Sequence, residues 1–283
     1  MTHRGVELLA ALAIVAAALV PAPARAAGQG QPAAIPAHVP PRTPDGQPNI
    51  QGVWQSVPGG SYSIEDLELQ VIYQQGRRDP SREGKSRIID PPSGKIPYQP
   101  WAAALAKRYF DVHLDPPGPE LLDAVARCIV QGVPRAMYQG EYEIFQAPGY
   151  VVFRMGPNHQ YRIVPLDGRP PLGKDIQLYM GDSRGRWDGN TLVIHSSNYT
   201  NKTWFDIVGS FHTAAMRLTE RLTPVGADRI DYQATVEDPK AYTRPWTLAT
   251  TLSRRMEQGY EIWEEACHEG ERSAENILTR PGR

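Results

Sequence analysis

The chain has 283 residues, a net charge of −1, 41% hydrophobic and 22% charged residues, 27 prolines and two cysteines. A near-neutral balance excludes a polybasic surface for nucleic acid or for an anionic membrane. The hydrophobic share excludes a disordered polyelectrolyte and leaves room for a packed core.

The N-terminus has the layout of a secretory signal. His3 and Arg4 give a short basic start, 8–20 is an apolar run, and Ala24-Arg25-Ala26 supplies a small-x-small cleavage site. The run is short for a membrane span, which needs about 20 apolar residues. Removal of 1–26 leaves about 255 residues, suited to one large domain, periplasmic or secreted from a bacterium, with no stable membrane insertion after cleavage. Residues 27–48, rich in Ala, Pro, Gln and Gly, are expected to form a disordered or extended leader.

The remaining residues, 49–283, are expected to form one barrel-like domain: an irregular, partly helical extension over 49–140, then a strand meander over 141–270. A short strand begins near Ile50 to Trp54, and 76–100 alternates charge, Gly and Pro as a surface excursion. Pro100 opens a helix over Trp101 to Phe110, and a second short helix is expected over Pro119 to Ala126.

From Glu141 onward the pattern changes. Val151-Val152-Phe153 follows a Pro148-Gly149 turn, Tyr161 to Val164 follows Gly156-Pro157-Asn158, and Thr191 to Ile194 follows the hairpin signal Asp188-Gly189-Asn190. Met216, Leu218 and Leu222 alternate with polar residues, as do Ile230, Tyr232, Ala234 and Val236; Trp246 to Leu252 and Tyr260 to Ala266 complete the series. Seven or more short strands, spaced roughly 10–15 residues apart, define a mainly β fold: an antiparallel barrel or half-barrel, with a β-sandwich as the alternative. The segment Gly181 to Gly189 is rich in turn formers, with Trp187 expected as a core plug. Its Gly-Asp-Ser lacks the context of a lipase nucleophile.

Strand period two puts Glu220 on the face of Met216, Leu218 and Leu222, and Glu264 on that of Tyr260, Ile262 and Ala266. A buried carboxylate needs a partner or a proton. Arg154 and Arg162, set in apolar strands, are placed to neutralise the two glutamates; the other reading is a polar floor to a ligand pocket. On that reading Glu220 and Glu264 are the acid and base, assisted by His212 or His268. Ligand contacts fall to Arg154, Arg162, His159, Tyr161, Asp182 and Trp246, with Arg162 orienting a carboxylate or oxyanion. No spacing selects a metal set from His159, His195, His212 and His268, and no nucleotide or cofactor motif is present, so no cofactor is assigned. Cofactor-independent isomerase, dehydratase or lyase chemistry on a small apolar or amphiphilic molecule is the first reading, a non-catalytic carrier of the same fold the second, and a structural envelope protein the third.

In an oxidising compartment the two cysteines are the minimum for one bridge, Cys128–Cys267, with a free thiol or a metal ligand as the alternatives.

Pro44-Asp45-Gly46-Gln47-Pro48 with Gly52-Val53-Trp54, Cys128 to Arg135, Tyr142-Glu143-Ile144 through Ile163, Gly181-Asp182-Ser183 through Val193, Glu237-Asp238-Pro239, and Glu264-Glu265-Ala266-Cys267-His268-Glu269-Gly270 together span most of the chain. In these stretches it resembles a large, functionally uncharacterised group of exported bacterial proteins. The resemblance implies a lipocalin-like β-fold and brings no assigned reaction or catalytic residue. The chain departs from the group's pattern at Ile129-Val130-Gln131, where Leu-Pro-Pro is usual, and at Glu271, where Asn is.

Overall fold

The alternation seen in the sequence is realised as paired strands with one face buried. In the computed structural model, which describes residues 38–156, 160–263 and Cys267, β8 (Arg217–Gly226) and β9 (Arg229–Glu237) alternate buried and exposed positions along nearly their whole length. β10 (Trp246–Arg254) continues the wall beyond β9. β3 (Glu141–Ala147), β4 (Tyr150–Met155) and β5 (Tyr161–Pro165) form one antiparallel block. β6 (Asp182–Asp188) and β7 (Thr191–Ser197) join β8 to begin the other. The Gly149 and Gly189 turns close the β3–β4 and β6–β7 hairpins at the sites the sequence marks.

Among the described residues the fold is mainly β, an antiparallel, nearly closed barrel with two α-helices. It is not a simple meander. β1 (Gly52–Val57), from the half expected to be irregular, lies between β3 and β10, so the wall runs β5-β4-β3-β1-β10-β9-β8-β7-β6. The short β2 (Ile88–Asp90) adds to β10 beside this path. The gap in the ring falls between β5 and β6, where no backbone ladder is recorded among the described residues.

Side chains close that gap. A Cβ on Gly185 of β6 would stand 2.7 Å from Val164 Cγ1 and 2.8 Å from Leu166 Cδ2, so only glycine lets the two edges approach this closely. Arg162 of β5 reaches across to Ser183 of β6 with Nε–Oγ at 3.0 Å.

α2 (Pro100–Val112) matches the expected helix, with Pro100 in its first turn. Ala102, Leu105, Ala106 and Tyr109, at helical spacing, face the core. Tyr109 packs on Trp204 and Phe211 with ring centroids 5.0 and 5.7 Å away. Gly209 beneath it has φ of 94°, and a side chain there would run into Tyr109.

Several expectations are corrected. α1 (Leu67–Gln75) was not anticipated, although Asp66 caps its start through Glu68 N and Gly76 ends it in a left-handed conformation. The helix expected over 119–126 is reduced to single 3₁₀ turns, Pro119–Leu121 and Val125–Arg127. The segment over 181–189 is mostly strand, because Ser183 bonds the buried Arg162 and Ser196 and Gly185 meets β5. Trp187 is a half-buried flank residue whose Nε1 donates to Gln47 Oε1, not a core plug. From the expected leader, 38–48 is packed in place, with Thr43 and Gln47 buried. Residues 260–263 form no strand, so the alternation that turned Glu264 inward does not hold there. Cys128 and Cys267 form the expected disulfide.

Candidate functional site

Strand register brings Glu220 inside the barrel as expected, and there it is fully occupied. Arg162 and Glu220 have 2% and 0% of their side chains exposed. Arg162 Nη1 donates to Glu220 Oε1 at 3.0 Å, and Nη2 donates to Oε2. The same Nη2 donates to Ser196 Oγ at 3.0 Å, and Tyr232 donates its hydroxyl to Glu220 Oε1 at 2.8 Å. Burial disfavours the Arg162 charge, but the adjacent Glu220 carboxylate outweighs it and raises the guanidinium above its usual range. Burial, reinforced by Glu220, pushes the Tyr232 phenol well up, so it remains a donor. The four elements contributing Arg162, Ser183, Ser196 and Glu220 are β5, β6, β7 and β8: the ion pair is a clamp across the barrel's gap.

The other expected site residues do not gather around it. His212 is buried, with Nδ1 on Thr213 O at 3.0 Å and Nε2 on Thr203 Oγ1 at 2.8 Å. Burial lowers its pKa, so it is a neutral core histidine at pH 7. Arg154 pairs with Glu143 on the half-exposed side of β4, and Tyr161 points to solvent with 62% exposed. Trp246 is a core ring set edge-on to Phe205 and Tyr242. Asp182 is buried, accepting from Leu172 N at 2.7 Å and pairing with Arg184, which fastens the loop before β6. It lines a groove of about 940 Å³ along β6–β8 that also holds His195. His159, Glu264, His268 and Glu269 lie outside the described residues. Among the described residues no group of three or more His, Cys, Asp or Glu is arranged to hold a metal.

A second concavity lies against α2, with a volume of about 600 Å³. Ile96, Ala103, Ala106, Phe110 and Val208 give it an apolar body. Its rim carries both signs: Lys95 bridges Glu65 at 3.3 Å, and Lys107 bridges Asp111 at 2.6 Å. The wall opposite α2 is built locally. Ser63 Oγ accepts from the N–H groups of Glu65 and Asp66 at the start of α1, and Glu65 Oε1 accepts from Ile96 N at 2.7 Å. Ser210 forms part of the floor, donating its hydroxyl to Asp206 Oδ2 at 2.8 Å.

Asp206 is fully buried and also accepts from Ser210 N and Ile64 N. Burial raises its carboxyl to about 6, against the lowering effect of those donors. Sequence reading missed this group because Asp206 lies in a loop segment with no periodicity. Only the folded chain shows that it is buried behind a groove. Neither groove is lined by Arg162 or Glu220.

No family model matches the chain, and no curated protein matches it. Among solved structures it is similar to an abundant heat soluble (SAHS) protein of Ramazzottius varieornatus, at 10% identity and a TM-score of 0.26, over 41% of this chain and 70% of that one. A likeness of that size carries no weight for site or fold, and the barrel rests on its own strand pairing.

Proposed function

We propose that the protein is an exported binding barrel that holds a small amphiphilic molecule in the α2 groove and not in the barrel interior. The observation that carries this reading is the groove itself: an apolar body within the 300–1,000 Å³ range of small-molecule sites, ringed by charges of both signs. The clamp of Arg162 and Glu220 supports it from the other side, since those groups are spent on each other. Export is supported by the signal-like N-terminus, the Cys128–Cys267 bridge and the resemblance to exported proteins. Among the described residues no helix is long and apolar enough to cross a membrane.

The neutral apolar dye N-phenyl-1-naphthylamine tests the reading. The protein is expected to enhance its fluorescence saturably, and Ala106→Trp, which fills the groove from α2, is expected to abolish the effect. Undiminished binding by that variant would contradict the assignment.

Asp206 favours a second reading, in which the bound molecule also undergoes acid–base chemistry. A carboxyl near pKa 6 is suited to proton transfer at neutral pH, and Ser210 links it to the groove. Mass spectrometry of a host extract incubated with wild type or with Asp206→Asn tests it: a conversion lost in the variant supports chemistry there, and no conversion by either leaves the carrier reading.

A further inference from the structure

Among the described residues three arginines are almost wholly buried, and two of them have a carboxylate. Arg162 has Glu220, and Arg135 has Asp123, with Nη1–Oδ1 at 2.7 Å and Nη2–Oδ2 at 2.8 Å. The third, Arg87, is 3% exposed and donates only to neutral oxygens: Nη1 to Thr250 Oγ1 at 3.1 Å, and Nη2 to the carbonyls of Pro58 and Gly60 at 2.7 and 2.9 Å. Its guanidinium lies 5.0 Å from the Tyr138 ring centroid, and Nε has no hydrogen-bond partner among the described residues. A buried cation without a counter-charge is costly, and chains that keep one generally pair it. Burial pulls the Arg87 pKa down to about 10, which still leaves it charged at pH 7.

Arg87 lines a pocket of about 370 Å³ that shares no lining residue with the α2 groove, between the end of β1, the start of α1 and the β9–β10 wall. Val57, Pro58, Leu67 and Ala249 give it apolar sides. Arg229 and Asp231 stand on the same wall and are paired with each other at 3.4 Å. A monovalent anion therefore matches the single unpaired charge. A phosphate dianion would leave one charge uncompensated, because the other cation is already taken.

We propose that this pocket is a binding site for a small carboxylic acid with an apolar tail: the carboxylate pairs with Arg87, and the tail lies on Val57, Leu67 and Ala249. It is independent of the α2 groove and of the function proposed for it.

The test is calorimetric titration of the full chain with sodium hexanoate, with hexan-1-ol and with inorganic phosphate, at low salt. Hexanoate is expected to bind about tenfold or more tightly than either of the others, as a charge-assisted hydrogen bond allows. Arg87→Met is expected to lose that preference. Where Arg87→Met does not fold, Ala249→Phe, which fills the pocket and leaves Arg87 in place, is expected to abolish hexanoate binding, while the groove variant Ala106→Trp retains it. Equal affinity for hexanol, tighter binding of phosphate, or wild-type hexanoate affinity in Ala249→Phe would overturn the site.

Discussion

Glu220 and Asp206 are both fully buried carboxylates, and their surroundings give them opposite roles. Glu220 faces a guanidinium and a phenol hydroxyl, so removing its charge strands Arg162 in the core. Glu220→Gln is expected to cost about 3–5 kcal/mol in denaturant unfolding, whereas replacing both partners by well-packed apolar residues, as in Arg162→Met with Glu220→Leu, is expected to recover most of it. Asp206 is met by neutral donors, and burial dominates. Its folded pKa of about 6 lies above the ordinary carboxylate value of 3.8, so the folded state takes up a proton between pH 6 and 4. The penalty for its charge, on the order of 3 kcal/mol at pH 7, is relieved as pH falls through that window. Buried His212 acts in the other direction: its pKa is lowered, so its contribution is lost as pH falls below its ordinary 6.5. Unfolding of wild type and Asp206→Asn compared at each pH cancels His212. Wild type is expected to gain on the variant from pH 7 to pH 4, and a constant difference would refute the raised pKa. The inward turn of Glu220 and its pairing with an embedded arginine were legible in the sequence, because strand period two fixes the face. Asp206, Ser210 and Arg87 were not, because loop positions carry no such rule.

The strands of this barrel differ in how they are held. β8, β9 and β10 are long and paired on both sides, while β5 and β6 face each other across the gap without a recorded ladder. Gly185 lets those edges meet, so Gly185→Val is expected to force them apart and destabilise the fold by about 1–3 kcal/mol, as overpacking does. Hydrogen exchange should rise first in Tyr161–Pro165 and Asp182–Asp188; a uniform rise across the barrel would show that the gap is not the weak line. Turn chemistry at Gly149 and Gly189 made both hairpins readable in advance. The insertion of β1 between β3 and β10 was not readable, since local alternation says nothing about which distant strand closes the ring.

The bridge between Cys128 and Cys267 ties two residues 139 positions apart, linking the loop region before β3 to the segment beyond β10. Cys128→Ser with Cys267→Ser is expected to cost about 2–4 kcal/mol. An unchanged unfolding midpoint after reduction would remove the bridge from the stability of the fold. The mainly β class followed from short alternating runs at regular spacing, and the cysteine pairing from there being only two cysteines, which leaves few alternatives. The position of the ligand groove did not, because it is assembled from α2, the start of α1 and the 206–210 loop, which touch only in the folded chain. The central claim is that a small amphiphilic molecule is held against α2 while the barrel interior is closed. Amide shift mapping by NMR during titration with N-phenyl-1-naphthylamine tests this directly. Shifts are expected to concentrate at Ser63–Asp66, Ile96, Ala103–Phe110 and Val208–Ser210. Shifts centred on Leu222, Tyr232 and Glu220 would place the ligand inside the barrel and contradict that claim.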